Sequence, residues 1–97
     1  MAIVYEKLKN WKIPEVTQTY TQRDTILYAL GLGFGSNPVD EDELRFVYEK
    51  NLAAVPTIGV VLAAPAGWIN NPETGVNYVK VVHGEQSLQL HRPLPVS

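Results

Sequence analysis

Apolar residues recur at helical spacing twice in the first half of the chain, then form a continuous run, and finally join a strand-like segment. Thr21 followed by Asp24 has the form of a capping box, in which the two side chains serve backbone amides that a helix start leaves unbonded. Ile26, Leu27 and Leu30 fall on one face of the helix so predicted, and Gly31-Leu32-Gly33-Phe34-Gly35 stops it. A second helix is predicted where Asp40-Glu41-Asp42-Glu43 crowd acids at the positive end of a helix dipole, with Lys50 near the negative end. Leu44, Val47 and Tyr48 supply its apolar stripe at i, i+3 and i+4.

Periodicity does not decide between buried strand and buried helix for the apolar run over residues 56–64, although its alanines and leading proline favour helix. Pro65 and Gly67 end it, and Asn70-Asn71-Pro72-Glu73-Thr74-Gly75 reads as a loop. The stretch through Lys12-Ile13-Pro14 at the N-terminus is a short helix or strand with a lead-in loop. Val79, Val81, Val82, Leu88 and Leu90 make residues 76–92 a predicted strand, closed by Pro93 and Pro95. The outline is α+β, with helices first and one long strand last. A single strand makes no sheet, so either a hairpin forms at His83-Gly84-Glu85-Gln86 or the chain ends before the partners of that strand.

Ninety-seven residues make one domain at most, with a thin core. A content of 45% hydrophobic and 19% charged residues predicts a globular chain, and a net charge of −2 without a basic run argues against nucleic acid as a partner. The absence of cysteine excludes disulfides and thiolate metal sites. No apolar stretch reaches the roughly 20 residues that span a bilayer, and Met1-Ala2-Ile3-Val4-Tyr5-Glu6 lacks the basic and apolar regions of a signal peptide. A soluble cytoplasmic protein is expected, with no membrane partner.

Several candidate motifs fail on context. Gly31-Leu32-Gly33-Phe34-Gly35 follows a helix where a dinucleotide loop would follow a strand, and Ser36 stands at the third glycine. Asp40, Asp42 and Glu43 lack the turn glycine of an EF-hand and fit a dipole-favoured first helical turn. His83-Gly84-Glu85 copies the H-x-E of zinc deaminases without the cysteines that site needs, so no metal is expected. His83 and His91, the two histidines, stand eight residues apart on the predicted strand and so on one face of it. A surface strand histidine and a helix-end glutamate at Glu49 are equally ordinary readings of these positions.

Five blocks in order carry a resemblance: Tyr20-Thr21-Gln22-Arg23-Asp24, Leu27-Tyr28-Ala29-Leu30-Gly31-Leu32-Gly33, Leu44-Arg45-Phe46-Val47-Tyr48-Glu49, Pro56-Thr57-Ile58-Gly59-Val60, and the run from His83-Gly84-Glu85-Gln86 to Arg92-Pro93-Leu94-Pro95. Together, over residues 20–95, they resemble the N-terminal half of hydratase-2 and MaoC-like dehydratases, the (R)-specific enoyl-CoA hydratases. The resemblance implies a hot-dog fold, an antiparallel sheet wrapped around a central helix, two of which form the enzyme. It also implies that a C-terminal half carries an Asp and a His in a G-D-x-N-P-x-H motif, where the pair activates water for addition to the enoyl thioester. The N-terminal half shapes the acyl tunnel, and the resemblance places Glu49, His83, Gly84 and Glu85 on the substrate side.

The dyad is absent here. Five residues before His83 stands Tyr78, and five before His91 stands Gln86; Gly35-Ser36-Asn37-Pro38-Val39-Asp40 echoes the motif but puts Gly35 at the aspartate and Asp40 at the histidine. Residues 1–97 are therefore expected to be a non-catalytic hot-dog region that stops short of its last strands. It would cradle a 2-enoyl-CoA or 3-hydroxyacyl-CoA substrate beside a catalytic C-terminal half or subunit, in a homo- or hetero-oligomer, with no cofactor of its own. The resemblance admits a peroxisomal location in a eukaryote. Two other readings are a non-enzymatic acyl-binding subunit that partners a separate catalytic hot dog, and an α+β interaction domain. A reading frame encoding G-D-x-N-P-x-H beside this one would favour the hydratase and acyl-binding readings over the interaction domain.

Overall fold

The computed structural model describes residues 2–65 and 67–97, and the chain divides into two units: Met1–Thr17 with Ala63–Ser87, and Gln18–Leu62 with Leu88–Ser97. Each is built around a short stretch of hydrogen-bonded turns.

In the second unit, α2 (Gln22–Gly31) follows α1 (Tyr5–Lys9) in chain order and begins where the capping pattern predicts. Thr21 is extended, at φ −118° and ψ 172°. Its amide donates to Asp24 Oδ2 at 2.9 Å and its hydroxyl to the same oxygen at 3.3 Å. The glycine-rich stretch ends the helix: the Leu32 amide bonds back to the carbonyls of Tyr28 and Ala29, and Gly33 takes a φ of +101°. Gly35, at φ +86°, lies so close to Val47 that a Cβ there would meet Val47 Cγ2 at 3.0 Å. Glycine answers both the φ and the approach.

The helix buries a face other than the one predicted. Thr25 and Ala29, one turn apart, are fully buried, while Leu27 and Leu30 are 52% and 49% exposed. Small side chains let the C-terminal segment come up against the backbone of α2, where the Thr25 hydroxyl donates to the carbonyl of Val96 at 2.8 Å. Two leucines on that side would hold the segment off.

The helix predicted after Asp40 is one turn long, α3 (Glu41–Leu44). The Asp40 carboxylate accepts the Asp42 amide at 3.0 Å, as the acidic N-terminus predicts. Beyond Leu44 the chain tightens into i→i+3 bonds, Phe46 to Glu43 at 3.1 Å and Val47 to Leu44 at 3.1 Å. Aromatic and β-branched residues at 46–48 lose side-chain freedom in a helix. Phe46 instead turns its ring to Phe34, with centroids 4.9 Å apart, and under the Arg45 guanidinium, 4.6 Å from its centroid.

The undecided apolar run is helical but tight: Pro56–Val60 is a 3₁₀ turn with proline in its first turn. Ile58 is 2% exposed and Val55 7%, and with Ala29 they are the buried apolar residues among those described.

In the first unit, the predicted loop at 70–75 is an ordered 3₁₀ turn, Pro72–Thr74. The Asn71 side chain accepts the Glu73 amide at 2.9 Å. The buried Thr74 hydroxyl donates to the Asn71 carbonyl at 2.7 Å and accepts the Val76 amide at 3.2 Å. Gly75 follows at φ +74°, and a Cβ on it would run into the carbonyl oxygen of Ala2.

The strand predicted over 76–92 is absent, and with it the sheet half of the α+β expectation: among the described residues there is no strand. Tyr78–Lys80 is a 3₁₀ turn, no hairpin forms at 83–86, and residues 81–89 are all exposed. Strand residues need cross-strand partners, and β propensity records that packing more than any backbone preference. The common face expected for His83 and His91 falls with the strand; Ser87 and Leu88 divide them between the two units.

Candidate functional site

The second unit holds a cleft assembled from its C-terminal segment and the entry to the Pro56 turn. Its walls are Ala54, Pro56, Leu90, His91, Arg92, Pro93 and Leu94, bordering an open depression of about 410 Å³. That is within the size range of small-molecule sites. Three contacts hold the C-terminal wall. The Tyr20 hydroxyl donates to the Pro95 carbonyl, the Thr25 hydroxyl donates to the Val96 carbonyl at 2.8 Å, and Leu94 sits against Gly59, where a Cβ would lie 3.2 Å from Leu94 Cδ1. Tyr28 and Thr57 share a hydroxyl–hydroxyl hydrogen bond of 2.8 Å that ties α2 to the Pro56 turn. The cleft thus joins an apolar wall of leucine, proline and alanine to two side chains that donate hydrogen bonds, His91 and the cationic Arg92. No carboxylate lines it.

The four residues expected to face substrate lie elsewhere. Glu49 is exposed in the turns after α3, between Tyr48 and Lys50, which line a separate cleft of about 380 Å³ with Leu44 and Asn51. Glu49 does not line it. His83, Gly84 and Glu85 belong to the other unit and are all exposed, and a Cβ on Gly84 would meet nothing within 4 Å. Each of the four is open for a ligand or a further protein surface to cover. Among the described residues, no three His, Asp or Glu side chains are grouped to hold a metal ion, and no helix is long and apolar enough to cross a membrane.

Arg92, Tyr20 and Thr25 were not singled out as site residues by the sequence. The available signal was position: Tyr20 and Thr25 flank the capping box, and Arg92 stands within the block that ends in Pro93-Leu94-Pro95.

Residues 18–97 match the family described as the MFE-2 hydratase 2 N-terminal domain. The chain belongs to this family. Among relatives of the hydratase 2 N-terminal domain, the peroxisomal multifunctional enzyme type 2 of Mus musculus is 40% identical over 89% of the chain and 12% of its own length. The peroxisomal enoyl-CoA hydratase 2 of Arabidopsis thaliana is 36% identical over 87% of the chain and 29% of its own length. The 3-hydroxyacyl-thioester dehydratase Y of Mycobacterium tuberculosis is 33% identical over 80% of the chain and 26% of its own length. The hydratase 2 N-terminal domain seen here therefore spans less than a third of each of these three relatives. No solved structure matches the chain significantly.

Proposed function

We propose that this chain is the substrate-cradling, non-catalytic half of an (R)-specific 2-enoyl-CoA hydratase, equally a 3-hydroxyacyl-CoA dehydratase in the reverse direction. The observation that carries this reading is the family match over residues 18–97, with relatives named as enoyl-CoA hydratase and 3-hydroxyacyl-thioester dehydratase. The sequence supports the division of labour, since neither His83 nor His91 has an aspartate five residues before it.

In this reading the reacting pair belongs to a C-terminal half, in the same polypeptide or another. There an aspartate and a histidine take a proton from water, hydroxide adds to the β-carbon of the enoyl thioester, and a proton is delivered to the α-carbon. Amides at a helix N-terminus hold the enolate oxygen. The present chain contributes the acyl-binding side, with Glu49, His83, Gly84 and Glu85 facing the substrate. A hot-dog sheet forms when residues 76–92 find strands to pair with in the assembled enzyme. In a eukaryotic cell the site of action is the peroxisome, as the names of the mouse and Arabidopsis relatives have it for those proteins; otherwise it is the cytoplasm.

The test is a hydration assay with crotonyl-CoA, following loss of the enoyl absorbance. The chain alone is expected to be inactive, and activity is expected when a half bearing G-D-x-N-P-x-H is added. Turnover of ordinary enzymatic size by the chain alone would overturn the assignment. A catalytic half that binds the chain and is no faster for it would make this an acyl-binding subunit with no part in the reaction.

A further inference from the structure

The run from Val81 to Ser87 leaves its backbone open to a partner. Val81 departs from the Tyr78–Lys80 turn extended, at φ −82° and ψ 133°, and its amide bonds back to Tyr78. From Val82 to Ser87 no amide or carbonyl is hydrogen-bonded among the described residues, and every residue is exposed and belongs to the first unit. Val81 is 46% exposed and Val82 86%. A row of free N–H and C=O groups beside exposed valines is a template for an added strand.

The order of side chains about Gly84 selects the partner. In an antiparallel pair of identical strands, the two-fold axis sets one residue opposite its own copy, and opposite side chains share a face about 4.5–5.5 Å apart at Cβ. With the axis at Gly84, His83 stands opposite the partner's Glu85, and the partner's His83 opposite Glu85. An axis at His83 or at Glu85 would set like against like, and one at Val82 would set His83 against a valine. An imidazole has an N–H to donate to a carboxylate whether or not it is protonated. At the axis itself, nothing lies within 4 Å of where a Cβ on Gly84 would stand. A glycine inside a strand is where another backbone can approach closely.

We propose that residues 81–87 dock a second copy of this chain as a two-stranded antiparallel ribbon, with Gly84 on the two-fold axis and a His83–Glu85 pair on either side of it. Neither substrate nor catalytic half enters this contact, which stands apart from the hydratase reading.

A two-stranded ribbon is marginal by itself, so sedimentation velocity of the full chain should show monomer at about 5 µM and dimer on the order of 500 µM. Glu85→Lys, which sets a cation against His83, should weaken the dimer about tenfold or more, and adding His83→Glu should restore it. Both positions are exposed, so these variants should keep the wild-type circular dichroism. The register is read separately. The chain contains no cysteine, so Gly84→Cys and Gln86→Cys each supply a single thiol. Only position 84 meets its own copy within the roughly 4.4–6.8 Å between Cα atoms that a disulfide spans, so Gly84→Cys should cross-link at least about tenfold faster under mild oxidation. Monomer throughout this range, with the two thiols cross-linking alike, overturns the inference. So does a dimer that ignores Glu85→Lys, since a different surface then associates. If residues 81–87 gain amide protection only when a half bearing G-D-x-N-P-x-H is added, that half is the partner; the second copy is then ruled out and the proposed function stands. If the dimer behaves as expected and the chain with that half does not hydrate crotonyl-CoA, the contact stands and the proposed function fails.

Discussion

The hydroxyl of Thr25 donates to the carbonyl of Val96 at 2.8 Å, joining residues 71 positions apart in the chain. Thr25 is fully buried on the inner face of α2, so this bond has no water to replace it. It fastens the segment that carries His91 and Arg92 to the best-formed helix of the protein.

Thr25→Val should therefore cost about 1–3 kcal/mol, because it keeps the shape and leaves the Val96 carbonyl without that donor. Thr25→Ser should recover most of the loss. Urea denaturation of the three proteins is the measurement, and equal midpoints for wild type and Thr25→Val would show that the bond does not hold the segment.

Gly75→Ala should destabilise by about 1–3 kcal/mol, since φ is +74° there and the added Cβ meets the carbonyl of Ala2. Gly84→Ala is the contrast: nothing lies within 4 Å of its Cβ, so stability should change by less than about 0.5 kcal/mol. Thermal melts of the two variants check both. A loss of activity by Gly84→Ala in the assembled enzyme, with an unchanged melt, would then mark that glycine as a substrate-side position.

Glu49→Gln separates a working carboxylate from a surface one. Glu49 is exposed and makes no hydrogen bond among the described residues, so the melt should not move. If Glu49 positions water or thioester, turnover in the assembled enzyme should fall at least about tenfold, which is about 1.4 kcal/mol of barrier. Unchanged turnover returns it to the surface.

The parts of this fold that were legible in the sequence are those held by local bonds. The start of α2 follows from Thr21 and Asp24, its end from Gly33, and the first turn of α3 from Asp40, because each depends on residues within a few positions. What was not legible depends on distant partners. Leu27 and Leu30 look like the core face of α2 by spacing, yet Thr25 is inside because Val96 meets it there. Val79, Val81 and Val82 look like a strand, and their side chains have no partner strand among the described residues to lie against. The cleft was hidden for the same reason, since Pro56 and Leu94 are brought together only by packing around Gly59. Glu49, His83, Gly84 and Glu85 came from the family resemblance alone.

Buried apolar side chains are few: Ala29, Val55 and Ile58 among the described residues. Full burial of a residue such as Ile58 contributes about 1.5–3 kcal/mol, so a set this small leaves a narrow margin over chain entropy. The chain alone should melt toward the lower end of the mesophile range, about 45 °C, and a catalytic half that covers it should raise the midpoint. Calorimetry of the chain with and without that half is the check. A cooperative transition above about 60 °C for the chain alone would show that these residues need no cover.

Between the 3₁₀ turn at Tyr78–Lys80 and the cleft wall at Leu90, the backbone runs exposed with no hydrogen bond among the described residues beyond the Val81 amide. Proteases bind their substrates as unpaired extended chain, so this stretch is open to nicking, as are the exposed residues that follow Lys12. Trypsin should cut early after Lys12 and, at the edge of this stretch, after Lys80, before it cuts at Arg23 within α2. Once residues 81–89 are paired into a sheet by another polypeptide, the bond after Lys80 should resist the enzyme. The pattern of fragments on a gel would then report, without any substrate, whether the partner surface has been found.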